Sequence, residues 1–256
     1  MIPKIIHYSW ISDDPYPPLI QRCMDSWKKY APDYQMVRWD KNRFDIDSLQ
    51  FTKEAYVMKK RAFISDVQRL YALYHFGGIY LDTDVELVKP LDDLLFQKAF
   101  IGYHHGDRIQ MWVLGFEKGN PWIKRMLDYY NERPFIRTDG SVDDEPNTFI
   151  VTNLSEQEFG FRIADKPDYL AGDIRIYPVH YFDPPVLLPG NRGLSPETYA
   201  IHHYNGAWKS EELQKKERLN KRIQKAKNFI RLIIGSRIAE KLGSLKRLFL
   251  PNKKRA

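Results

Sequence analysis

The sequence is short of cysteine, of long apolar runs and of repetition. Cys23 is the only cysteine in 256 residues, so no intrachain disulfide can form, and a secreted, disulfide-stapled framework is not indicated. No stretch approaches the ~18–20 consecutive apolar residues of a spanning helix. The opening Met1-Ile2-Pro3-Lys4-Ile5-Ile6-His7 is too short and too polar for a secretory signal. The expected location is therefore cytoplasmic, with any membrane contact made peripherally from that face. There is no internal repeat and no low-complexity tract.

What is present is an ordinary globular balance, 43% apolar and 29% charged, which excludes a wholly disordered chain. The length allows one large domain or two small ones at roughly 100–200 residues each. The net charge of +7 is unevenly held. Residues 1–208 carry 24 Lys and Arg against 29 Asp and Glu, a charge of −5. Residues 209–256 carry 16 against 4, a charge of +12. The basic character belongs to the last 48 residues, so the composition does not describe a nucleic-acid-binding body. Two segments are expected, a domain over 1–208 and a basic tail over 209–256.

Strands are expected at Ile2–Trp10, Tyr34–Trp39, Ile79–Leu81 and Val85–Val88, with helices at Leu19–Tyr30 and from about Thr52 to Phe76. In the last, Phe63, Val67, Leu70, Tyr71 and Tyr74 form one apolar face, and Gly77-Gly78 supplies the stop. Strands alternating with helices argue for an α/β fold with a parallel, doubly wound sheet. Further strands are expected at Phe100–Gly102, Met111–Phe116, Ile174–Tyr177 and Ala200–Tyr204, and a helix at Pro121–Tyr130. In the tail, Leu219, Ile223, Ala226, Ile230 and Ile234 recur at helical spacing among Lys and Arg. A basic amphipathic helix of this kind fits an anionic membrane surface. Packing on its own domain would explain the apolar stripe but not the charge. Nucleic-acid binding is not expected, because only Phe229 and Phe249 interleave the basic residues.

Asp82-Thr83-Asp84 follows a short apolar strand. Two carboxylates at a strand end can face the crevice where open α/β sheets bind ligands. Hard cations such as Mg²⁺ or Mn²⁺ take such oxygens together with substrate phosphates. The pair alone also fits a polar turn with capping aspartates. On the preceding helix, Asp66 and Arg69 stand at i, i+3, bordering the apolar face. An intrahelical salt bridge would account for them; so would a site in which Arg69 meets a phosphate or sugar hydroxyl.

The run from Lys60 to Arg69, followed by Gly77-Gly78-Ile79-Tyr80-Leu81-Asp82-Thr83-Asp84, resembles the DXD sugar-binding region of glycosyltransferase family 32. Ile2–Trp10, Ile174–Pro178 and His202–Trp208 are similar to that family's first strand and closing segments. The resemblance implies a GT-A fold, a nucleotide-sugar donor, favoured as a UDP-sugar, Mn²⁺ or Mg²⁺, and transfer with retention of configuration. It implies a glycan or lipid-linked glycan acceptor in cell-surface polysaccharide synthesis. By position, Trp10 would stack on the base with Tyr8 and Ser9 beside it. Ser65, Asp66 and Arg69 would contact sugar or diphosphate, Tyr80, Leu81 and Asp82 would line the donor, and Trp208 would lie near the leaving diphosphate. Asp66, Arg69, Asp82 and Asp84 are the expected catalytic set. Asp82, Asp84 and His203 are the expected metal ligands, with His202 the alternative, because adjacent strand residues face opposite ways.

Two positions depart from the family's pattern. Gln110 stands where an Asn is common, and Ala207 where a Ser precedes the final Trp. An acceptor base is sought among Asp139, Asp143, Asp144 and Glu145, although a solvated acidic loop also explains them. The alternative functions are a metal-dependent nucleotidyl- or phosphotransferase using the same Asp-x-Asp, and a non-catalytic membrane or nucleic-acid adaptor. The first does not require the Asp66–Arg69 helix at this place. The second gives no reason for Asp82, Asp84 and His203 to coexist.

Overall fold

The computed structural model describes residues 1–104, 108–131, 133–166, 168–188 and 191–205. Trp208 and the tail over 209–256 lie outside the described residues. In chain order the elements are β1 (Ile5–Ser9), α1 (Pro18–Tyr30), β2 (Gln35–Trp39), α2 (Gln50–Val57), α3 (Arg61–Phe76), β3 (Gly78–Leu81), β4 (Val85–Leu87), β5 (Ala99–His104), β6 (Arg108–Ile109), β7 (Val113–Phe116), α4 (Pro121–Asp128), α5 (Asn147–Glu158), β8 (Tyr169–Leu170), β9 (Ile174–Tyr177), β10 (Val186–Leu188), β11 (Asn191–Arg192) and β12 (Ala200–His202).

The main sheet has the order β2-β1-β3-β7-β5-β9-β8, with β6 paired to β5. β1, β2, β3, β5 and β9 run one way; β6, β7 and β8 run the other. The sheet is thus mixed with a majority direction, as the GT-A expectation has it. The purely parallel arrangement suggested by the first 90 residues ends at β3. The short link from β5 through β6 to β7 has no room for the crossover a parallel strand needs, so β7 returns antiparallel.

Ile79-Tyr80-Leu81 reads as a continuous apolar run because both sheet faces are covered. Tyr80 faces the layer built by α2, α3, α4 and α5, with Phe63, Val67 and Trp122. Ile79 and Leu81 face the opposite layer with Ile6, Trp27 and Phe100. Burying each such side chain stabilises the fold by about 1.5–3 kcal/mol before entropy is counted.

The single helix expected from Thr52 to Phe76 is two helices. The apolar stripe lapses between Ala55 and Phe63, so nothing holds a straight rod there. Instead Lys59 turns left-handed at φ 57°, and the Lys60 N–H reaches back to the Ala55 carbonyl at 2.8 Å. Helix α5 was not expected. Its apolar residues Ile150, Val151 and Leu154 are buried, but they follow an acidic loop whose turn signals mask the start.

At the end of α3, Gly77 and Gly78 take φ of 67° and 105°. A Cβ on Gly78 would lie 2.7 Å from the Ile5 carbonyl oxygen. Only glycine lets the chain turn there and enter β3 beside β1. Among the described residues, no helix is long and apolar enough to cross a membrane.

Candidate active site

β1 and β3 are parallel neighbours, with His7 level with Tyr80. Their carboxyl ends therefore deliver Ser9 and Asp82 to the same edge of the sheet. α3 runs back from that edge, so its first three turns bring Ser65, Asp66 and Arg69 alongside. The expected crevice residues converge at the edge where α/β sheets hold ligands.

Arg69 is 4% exposed. Its Nη2 lies 2.9 Å from Asp66 Oδ1 and 3.3 Å from Asp82 Oδ1. Its Nη1 donates to the Met111 carbonyl and its Nε donates to the Ser65 carbonyl at 3.3 Å. The guanidinium also lies 4.8 Å from the Tyr80 ring centroid. These partners engage all three guanidinium nitrogens, so Arg69 works by holding the two carboxylates. Burial pushes the Asp66 carboxyl up to about 7, against the pull of Arg69 and with a further push from Asp82. Burial likewise raises Asp82, opposed by Arg69 and reinforced by Asp84.

The third ligand candidate arrives from the end of the described chain. β12 pairs antiparallel with β4, setting His202 opposite Val85. One ligand atom from each of Asp82, Asp84 and His202 lies within 4.8 Å of the others. His202 Nε2 is 3.2 Å from Asp84 Oδ1, and the Asn205 N–H donates to Asp84 Oδ2 at 2.7 Å. Burial raises the Asp84 carboxyl, but His202 and the Asn205 amide outweigh it and leave the group below its ordinary value. The His202 ring stacks on Trp112 at 4.6 Å.

The histidine that the structure brings into this cluster is His202, which stood as the alternative to His203. Strand alternation turns His203 the other way, where its Nε2 lies 2.7 Å from Glu86 Oε2 and 3.4 Å from Arg22 Nη2.

The donor set suits a hard divalent cation: two carboxylates and an imidazole. The Arg69 guanidinium is shared by Asp66 and Asp82. Asp84, held by His202 and the Asn205 N–H, adds a carboxylate that no cationic side chain other than the His202 ring meets among the ion pairs of the described residues. The buried His202 Nδ1 has no partner among the described residues, so the ring is committed to neither orientation by a second bond.

The remaining expected residues divide. The Ser9 hydroxyl donates to Gln68 Oε1 at 2.6 Å, on the α3 side of β1. Tyr8 and Trp10 face the α1 side; Trp10 packs on Tyr16 at 5.0 Å, and Tyr8 lies edge-on to Trp27 at 5.5 Å. Ser65 donates to the Ala62 carbonyl. Leu81 is buried in the core on the opposite face of the sheet, whereas Tyr80 is buried against the site itself, its ring beside the Arg69 guanidinium and its hydroxyl turned to the Asp82 carboxylate. Gln110 spends its amide on its own turn, accepting from the Trp112 and Val113 N–H groups and donating to the Val113 carbonyl. Asp143 is held by Arg133 and Arg137, and Asp139 caps Ser141, while Asp144 and Glu145 are exposed.

Asn147 was not expected. It opens α5 and donates to Asp66 Oδ1 at 2.6 Å. The signal for it was Pro146 just ahead of a helically spaced apolar set. Trp112 was passed over as an ordinary strand aromatic.

Residues 17–101 match a family model described as "Glycosyltransferase sugar-binding region containing DXD motif". The chain is 31% identical over 134 residues to "Inositol phosphoceramide mannosyltransferase 3" of Schizosaccharomyces pombe, covering 49% of this chain and 36% of that protein. It is 31% identical over 150 residues to "Mannosyl phosphorylinositol ceramide synthase SUR1" of Saccharomyces cerevisiae, covering 53% and 37%. The chain spans little more than a third of the length of these curated relatives. Among solved structures it is similar to "PaToxG Glycosyltransferase", with TM-score 0.39 and 22% identity over 61% of this chain and 70% of that one. The matched stretch contains Asp66, Arg69 and the Asp82-Thr83-Asp84 motif.

Proposed function

We propose that this family 32-like chain is a metal-dependent glycosyltransferase that moves a sugar from a nucleoside-diphosphate sugar to a hydroxyl of a glycan or lipid-borne acceptor. The reading rests on one observation above all: Asp82, Asp84 and His202 meet the Asp66–Arg69 pair at one edge of the sheet. The lipid acceptors in the relatives' names support the acceptor class.

Asp82, Asp84 and His202 would hold a divalent cation, which would supply positive charge where the leaving diphosphate develops negative charge. Arg69 fixes the rotamer of Asp82 and holds Asp66 ready to accept from sugar hydroxyls. Asn147 braces Asp66 from the other side. The base of the donor lies against Trp10 and Tyr16 at the end of β1. With Asp143 already bound by two arginines, the acceptor proton passes to the departing phosphate oxygen on the same face, which retains the configuration. UDP-sugars are the favoured donors. The enzyme works at the cytoplasmic face of a membrane, in building a cell-surface glycan, with the +12 segment attracted to anionic lipid.

The test is incubation of the full chain with Mn²⁺ and a panel of UDP- and GDP-sugars, with slow donor hydrolysis as the readout. Release of nucleoside diphosphate is expected. Asp84→Ala and His202→Ala should each weaken Mn²⁺ binding roughly tenfold or more by calorimetry, and lose hydrolysis while staying folded. His203→Ala should retain both. A folded protein that binds no nucleotide sugar with Mn²⁺ present would overturn the reading, and release of nucleoside monophosphate would replace it with nucleotidyl transfer.

A further inference from the structure

The turn between α2 and α3 is a surface that neither the site nor the core accounts for. Tyr56, Val57 and Met58 are 42%, 71% and 43% exposed. They are consecutive, and Lys59, Lys60 and Arg61 follow directly. Single exposed apolar residues are ordinary on a protein surface; three in a row at a protruding turn are not.

The turn is also rigid. The Met58 N–H donates to the Glu54 carbonyl at 3.0 Å, Lys59 to Tyr56 at 3.0 Å and Lys60 to Ala55 at 2.8 Å. These bonds close the end of α2 around a left-handed Lys59, a position that glycine fills more readily. The backbone therefore presents Val57 outward without further ordering. Among the described residues, neither the Lys59 nor the Lys60 ammonium has a carboxylate within 4 Å. The nearest acid in sequence, Glu54, is engaged by Gln50 and by the Ile136 N–H. Arg61 is in the field of Asp13 and counts for less.

The placement matters as much as the chemistry. The turn leads straight into the first turn of α3, and Asp66 lies six residues beyond Lys60, about 9 Å along the helix axis. The exposed apolar residues thus stand on the same sheet edge as the Asp82–Asp84–His202 cluster.

We propose that Tyr56-Val57-Met58, flanked by Lys59 and Lys60, is a membrane-docking turn. It inserts its apolar side chains at the headgroup–acyl boundary of an anionic bilayer and turns the mouth of the active site toward that surface. The apolar tip supplies burial, the two free ammonium groups meet anionic headgroups, and the rigid turn fixes the depth. This deepens the reading of a membrane-borne acceptor and rests on it. It is distinct from the basic segment beyond residue 208, which would give attraction without orientation.

The test uses the full chain with Val57→Cys, labelled with an environment-sensitive fluorophore. Cys23 is buried and free, so labelling is confined to the new thiol. Phe96→Cys is the control. Phe96 is 76% exposed but follows Leu95, whose carbonyl accepts from the Ile2 N–H at the amino end of β1, the opposite edge of the sheet. With phosphatidylserine-containing vesicles, the label at 57 should shift to the blue and be quenched by lipid-borne nitroxides, and the label at 96 should not. Val57→Asp should lower vesicle co-sedimentation several-fold while leaving donor hydrolysis in solution unchanged. Co-sedimentation without a shift at 57, an equal shift at 96, or no vesicle binding at all would each overturn the docking turn. Loss of donor hydrolysis in the parent protein would instead overturn the enzyme reading.

Discussion

Both ring nitrogens of His7 are engaged inside the layer between β1 and α3. Nε2 donates to the Gly77 carbonyl at 2.8 Å, and Nδ1 accepts from Trp39 Nε1 at 3.1 Å. That pattern requires the neutral ring. Burial, only partly opposed by the Gly77 bond, lowers the group from 6.5 to about 4. Between these values the unfolded chain binds a proton that the folded protein refuses. Stability is therefore complete above pH ~6.5 and is lost as pH falls toward ~4, by up to about 3 kcal/mol. His7→Phe should flatten that part of the profile in urea titrations at pH 4 to 7; an unchanged slope would mean that other groups carry the acid lability. Asp82 and Asp84 were legible in the sequence, being local to one strand end. The choice between His202 and His203 was not, because it depends on the β4–β12 register, which no nearby residue announces.

At the scale of elements, the α3–β3 junction controls where Asp82 stands. Gly78→Ala would put a Cβ 2.7 Å from the Ile5 carbonyl oxygen and force a side-chain-bearing residue to φ 105°. The clash and the strain together should cost about 2–4 kcal/mol and weaken Mn²⁺ binding. Gly119→Ala, also at positive φ but with open space around it, should cost only about 1 kcal/mol. Thermal unfolding of the two variants checks this; equal losses would mean that the close approach to β1 is dispensable. The Gly77-Gly78 stop could be read in advance because glycine punctuation is local. The break at Lys59 could not, since a lysine is not an expected left-handed residue, and only the lapse between Ala55 and Phe63 hinted at it. Helix α5 was lost to the acidic loop ahead of it, and Asn147 was lost with it.

Across the whole molecule, alternation of strands and helices sufficed for the α/β class, but the reversal at β7 depended on the length of a connection. The division of charge, −5 over residues 1–208 and +12 beyond, was visible from composition alone. Less visible was the distance along the chain that the ligand cluster spans. Asp84 is bonded to Asn205, 121 positions away, and His202 comes from the same strand end. An ion held there would close a loop of about 120 residues, whose closure entropy must be met before the contact rewards it. Mn²⁺ at about 100 times its Kd should add roughly 2.7 kcal/mol to stability. It should do so chiefly by slowing unfolding, and Asp84→Ala should abolish the gain; a metal effect on folding rate alone would contradict this. On the proposed reading, metal supply would then govern how long each molecule stays folded as well as how fast it turns over.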